Sequence, residues 1–126
     1  MKIRTPISVL RHAARRGDQG FPIATVAFYG PDDRRASKVV LGIIACEGAE
    51  PEVEKWKSDT GDLRQDPAVL QAILNRMRDH GVKSVAMAEQ LMGCPHEEGV
   101  DYPEGEACPQ CSFWRGRNRF TGEYEL

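Results

Sequence analysis

Long apolar runs are missing from this chain. Nowhere among its 126 residues does one approach the roughly 20 residues that a membrane-spanning helix requires. The start of the chain also lacks the apolar segment and small-residue cleavage site of a secretory signal. Aromatic residues are sparse at 7%, and neither sign of charge dominates, with 17 Lys and Arg against 19 Asp and Glu. This near balance argues against a strongly basic nucleic-acid binder and against an acidic tail protein. There is no internal repeat and no low-complexity segment. Without a secretory signal, the cysteines are expected to be thiols or metal ligands in a reducing compartment, with cytoplasmic placement, rather than disulfides.

The charge is nevertheless unevenly distributed. Residues 1–20 carry Lys2, Arg4, Arg11, Arg15 and Arg16 against Asp18 alone. This stretch is arginine-rich like an organellar transit segment but poor in serine, and reads better as a basic arm or a short first helix. Residues 93–111 hold Glu97, Glu98, Asp101, Glu104 and Glu106 with no Lys or Arg, and Arg115, Arg117 and Arg119 follow at once. Neutralisation of the acidic loop by the two basic ends is one simple expectation.

Residues 21–126 read as a single α+β domain. The run "FPIATVAFYG" (21–30) is rich in β-branched and aromatic residues and ends in a Gly-Pro-Asp-Asp turn signal. The apolar run "SKVVLGIIAC" (37–46) follows a short polar link, so the two predict an antiparallel hairpin with Arg34 and Arg35 solvated at its tip. Cys46, ending that run, is expected to pack as a small apolar residue. Residues 47–62 read as a loop with one helical turn from Pro51, and Trp56 as folded back onto the core.

The clearest element is "DPAVLQAILNRMRDHG" (66–81). Asp66 suits the N-cap, Pro67 the first helical position and Gly81 the left-handed position after the helix. Val69, Leu70, Ile73, Leu74 and Met77 recur on one face at helical spacing. "VKSVAM" (82–87) then predicts a third strand. The resulting fold is a small three-stranded β-β-α-β sheet with one main helix and strands two and three parallel through a right-handed crossover, closed by a C-terminal zinc-stapled loop.

That loop is "CPHEEGVDYPEGEACPQC" (94–111), which concentrates three of the four cysteines and one of the three histidines. Cys94, His96, Cys108 and Cys111 form a C-x-H-x11-C-x2-C pattern. Three thiolates and an imidazole satisfy a tetrahedral zinc ion. The tight Cys-Pro-Gln-Cys turn can present two sulfurs while its amides offset their charge. Gly99, Pro103 and Gly105 allow the intervening chain to loop back.

Three other readings compete with a closed zinc clip. The cysteines could be free thiols, although their density beside a histidine speaks against it. Cys108-Pro-Gln-Cys111 has the form of a redox dithiol, but the surrounding carboxylates are expected to raise thiol pKa values rather than lower them. His96-Glu97-Glu98 with Cys108-x-x-Cys111 resembles the zinc-deaminase pattern, in which Glu98 would shuttle protons at an open metal position. Position 107 is Ala where that pattern has Pro, only nine residues separate Glu98 from Cys108, and Cys94 adds a fourth ligand.

Directly after the cluster, "SFWRGRNRF" (112–120) alternates aromatics and arginines. Trp114, Arg115, Arg117 and Arg119 are therefore candidate contacts to nucleic acid or another anionic partner. Phe113 and Trp114 have the alternative role of packing the zinc loop onto the sheet. The run "GCPHEEGVDYPEGEACPQCSFWRGRNRFTGE", together with "AFYGPDDRRASKVVLGI", resembles a group of short uncharacterised bacterial proteins. They share a C-P-H-E-E-G-x-D-Y-P-x-G-E-x-C-P-x-C core. The resemblance implies a soluble bacterial metal-binding protein and supplies no activity.

Overall fold

The computed structural model describes residues 5–106 and 108–115. Helix α1 (Pro6–Arg15) is followed by strands β1 (Ile23–Tyr29), β2 (Lys38–Ile44) and β3 (Glu52–Lys57). A 3-10 turn (Leu63–Gln65), helix α2 (Pro67–Asp79), strand β4 (Ser84–Ala88) and a second 3-10 turn (Ser112–Trp114) complete the order. The architecture is α+β, with a mixed sheet in the order β3-β2-β1-β4. No helix among the described residues is long and apolar enough to cross a membrane.

The β1–β2 hairpin and α2 match the sequence reading. Val26 faces Leu41 and Phe28 faces Val39 across the antiparallel pair. Asp66 accepts hydrogen bonds from the amides of Ala68 and Val69, satisfying two donors that an α-helix leaves orphaned. Gly81 takes the left-handed conformation (φ 64°) that ends α2 without a Cβ clash.

Three features depart from the expectation. The sheet has four strands, because residues 52–57 form an edge strand rather than a helical turn. Its Glu and Lys residues hide the strand pattern while keeping an exposed edge from pairing with another chain. Strand β4 runs parallel to β1, not to β2, whose other edge is taken by β3. There are two helices rather than one, since the basic N-terminal segment takes the short-helix alternative of the sequence reading and contains α1. Thr5 caps this helix through a bond from the Ser8 amide, and Pro6 fills its first turn.

Both helices lie on the sheet face that carries Ala24, Val26, Phe28, Val39, Leu41, Ile43 and Val85. Leu10 of α1 and Leu70, Ile73 and Met77 of α2 complete that core. Trp56 packs against it, as expected. The Arg76–Glu54 ion pair (3.1 Å) and the contact of His80 Nε2 with Glu52 (3.3 Å) fasten the end of α2 to β3. Cys46, by contrast, is exposed, not packed as the sequence suggested. Because side chains alternate along a strand, Tyr29, Lys38, Lys55 and Lys57 fall on the opposite face. There the metal-ligand loop crosses.

Candidate metal centre

The site is built where the chain leaves β4. Met92 donates its amide to Phe28 O (2.8 Å), and Gly30 donates to Gly93 O (2.9 Å). Cys94 is thus delivered to the end of β1. From the other side, the Trp114 indole donates to Gly30 O (2.7 Å) and its ring packs against the core. Phe113 meets that ring edge-on, with centroids 5.0 Å apart. Gly30 is required at this crossing, because a Cβ built on it would overlap the Arg35 carbonyl oxygen and press on Leu91.

The fold brings Cys94, His96, Cys108 and Cys111 together, with all four potential ligand atoms within 4.8 Å of one another. His96 Nδ1 lies 3.2 Å from Cys94 Sγ, 3.4 Å from Cys108 Sγ and 3.5 Å from Cys111 Sγ. Zinc bonds of about 2.3 Å to sulfur and about 2.0 Å to nitrogen in a tetrahedron place neighbouring ligand atoms roughly 3.5–3.8 Å apart. The donor set fits such an ion in both spacing and chemistry, and this cluster could hold a metal ion. Cys108 and Cys111 are buried, while Cys94 and His96 are half-buried.

The thiols divide their proton affinity unequally. Burial raises Cys94, against the pull of the His96 amide, which donates to its sulfur at 3.3 Å. Cys111 is raised further by burial and by the neighbouring sulfurs. Burial opposes ionisation of Cys108 as well, but the amides of Gln110 and Cys111 and the adjacent thiols outweigh it, and its pKa is lowered. The expected rise in the Cys108–Cys111 turn is thus met at Cys111 and reversed at Cys108, and sulfurs, amides and burial cause these shifts rather than the carboxylates. A cluster in which three sulfurs compete for negative charge is what a divalent cation relieves.

The acids of the loop have other work. Glu97 bridges Lys38 (3.2 Å) and Lys55, and these two lysines lower its pKa to about 2. Lys38 also donates to Pro95 O at 3.0 Å and lies over the Tyr29 ring. Asp101 accepts from the Glu97 amide at 2.7 Å, and Glu98 accepts from the Gly105 amide at 3.2 Å. Gly99 and Gly105 adopt positive φ in this excursion. Among the described residues, the charge of Glu97 is thus met by strand lysines. Glu98 is exposed, and its carboxylate is engaged with the Gly105 amide of the loop.

The sequence reading missed Gly30, Lys38 and Lys55 as supports of the site. Each is remote from the ligands along the chain, and no local pattern names its partner. Trp114 is turned inward and Arg115 is exposed, while Arg117 and Arg119 lie outside the described residues. Comparison with protein-family models, curated proteins and solved structures returns no match to this chain.

Proposed function

We propose that the protein is a small zinc protein of binding or regulatory type, with Cys94, His96, Cys108 and Cys111 forming a closed structural site. The supporting observation is the approach of His96 Nδ1 to three sulfurs at 3.2–3.5 Å, with no carboxylate in the cluster among the described residues. Four protein donors fill a zinc tetrahedron and leave no position for an activated water, the arrangement of structural rather than catalytic sites. Soft sulfur donors with one imidazole favour zinc over the oxygen-seeking cations. The ion's contribution to folding is of order 10 kcal/mol, since the ligands come together only in the folded chain.

The engagement of Glu98 with Gly105 weighs against a hydrolase of deaminase type. The inward Trp114 likewise deprives a nucleic-acid surface of its largest stacking ring. Metal analysis of protein purified without added metal tests the proposal. One zinc per chain is expected, with unfolding of the 94–111 loop on chelation. A metal-free chain with an unchanged melting curve overturns it.

A further inference from the structure

On the outer side of the metal loop lies an open cavity of about 250 Å³, lined among others by Arg35, Ser37, Lys57, Ser58, Asp59 and His96. One of its donors, Arg35, is held in place before any ligand arrives. Arg35 is half-buried at the hairpin tip, not solvated as the sequence implied. Its Nη1 donates to Ser58 O (3.2 Å) and Gly61 O (2.9 Å), which fixes the guanidinium and leaves its Nε and Nη2 edge uncommitted among the described residues. Lys57 has no ion-pair partner among the described residues. It stands beside Lys38 in the β2–β3 register, and Lys38 is spent on Glu97.

The second observation is Ser37. This residue is 9% exposed, and its Oγ has no hydrogen-bond partner. Its backbone is not slack, since Ser37 donates to Tyr29 O and accepts from the Ser58 amide. An unsatisfied buried hydroxyl is costly, and here it belongs to a residue that lines a cavity with two cations. His96 adds a further donor. With Nδ1 committed to a metal, the imidazole keeps its proton on Nε2, and no hydrogen bond to Nε2 is formed among the described residues.

We propose that this cavity binds a phosphate group, either inorganic phosphate or the terminal group of a small phosphomonoester. Arg35 and Lys57 supply charge, His96 supplies a further donor, and the buried Ser37 hydroxyl gains its missing partner by turning toward the bound group. Guanidinium and ammonium groups with a hydroxyl match the several acceptor oxygens of phosphate. Asp59 on the same lining opposes an anion, and the two cations Arg35 and Lys57 outnumber it. The His96 donor rests on the metal reading given above, whereas the Arg35, Lys57 and Ser37 donors do not.

Calorimetric titration of the full chain with inorganic phosphate and with glycerol phosphate tests the site, with metal content measured on the same sample. Saturable one-to-one binding of either supports it, and the tighter of the two identifies the source of the group. Lys57→Ala is expected to weaken binding about tenfold, the worth of one charge-assisted hydrogen bond. Lys83→Ala, just before the far edge strand β4, leaves binding unchanged. Ser37→Ala gives the more specific readout, because it should raise the melting temperature without ligand and weaken phosphate binding. Absence of saturable binding, an equal loss in Lys83→Ala, or a Ser37→Ala chain that binds phosphate normally overturns the proposal. One metal per chain without phosphate binding removes the anion site and leaves the metal reading intact. Phosphate binding to a metal-free chain does the reverse.

Discussion

Lys38, whose side chain is 6% exposed, holds Glu97 at 3.2 Å and the carbonyl of Pro95 at 3.0 Å, so one buried ammonium grips the chain on both sides of His96. The ligand loop is thereby registered against β2 independently of any ion. A lysine in such surroundings needs its partners, since an unpaired buried charge is among the most costly defects a fold can carry.

Replacing Lys38 by methionine is expected to lose about 2 kcal/mol through the charge-assisted bond to Pro95. The same change should let a chelator extract the metal faster, because His96 would no longer be held in position. Urea denaturation reads the first effect and a chelator-competition rate the second. A variant less stable but unaltered in metal release would show that Lys38 supports the sheet alone.

Cysteine substitutions should separate sharply. Cys111→Ser is expected to abolish stoichiometric metal binding, whereas Cys46→Ser, at an exposed position outside the cluster, leaves metal content at one per chain. Metal binding to the wild type should release protons and weaken as the pH falls, because Cys94 and Cys111 hold theirs above the ordinary thiol value. Elemental analysis and a pH-indicator titration measure these outcomes.

Acid stability is expected to depend on Asp62. Burial opposes its charge, but hydrogen bonds from the Arg64 side chain and amide prevail, and its pKa lies below the ordinary 3.8. A depressed carboxylate stabilises the fold above its unfolded pKa and loses that contribution as pH falls through the folded one. The wild type should therefore lose stability as the pH drops below 3.8. Asp62→Asn should be less stable at neutral pH and show a shallower decline in that window, followed by thermal melts across an acid series.

Gly30→Ala should cost about 1–3 kcal/mol or more, the range for forcing extra volume into a packed site. The methyl would meet the Arg35 carbonyl, a backbone atom with little freedom to retreat. Chemical denaturation measures the loss. Reduced metal retention should accompany it, because Gly93 and Trp114 both hang on this residue.

Legibility in the sequence followed the range of the interactions involved. Helix α2 was readable because Asp66, Pro67, Gly81 and the apolar periodicity all act within a few residues of one another. The hairpin was readable for the same reason. The ligand set was readable because few residue types bind soft metals, and four of them crowd into eighteen positions. Strand β3 was hidden by its charges: only Trp56 among its core-facing residues is apolar, and Glu52 and Glu54 face α2 for ion pairing. The choice of β1 over β2 as the neighbour of β4 depends on which edge β3 leaves open, and no local pattern encodes that. The purpose of the acids was equally hidden, since Glu97 reaches lysines 42 and 59 residues away.

Gly30 gives its amide to Gly93 and its carbonyl to Trp114, the residues flanking the ligand span on either side. In the order of synthesis, every strand and both long helices leave the ribosome before Cys108 and Cys111 do. Chains generally acquire structure from the N-terminal side during translation, so the two sulfurs arrive at a hairpin that is already paired. The four potential ligand residues are thus completed only after the strands of the sheet have been made. A metal ion held by all four would then act as an inspection stamp on the sheet beneath, refused to any chain whose β1 had not found its place.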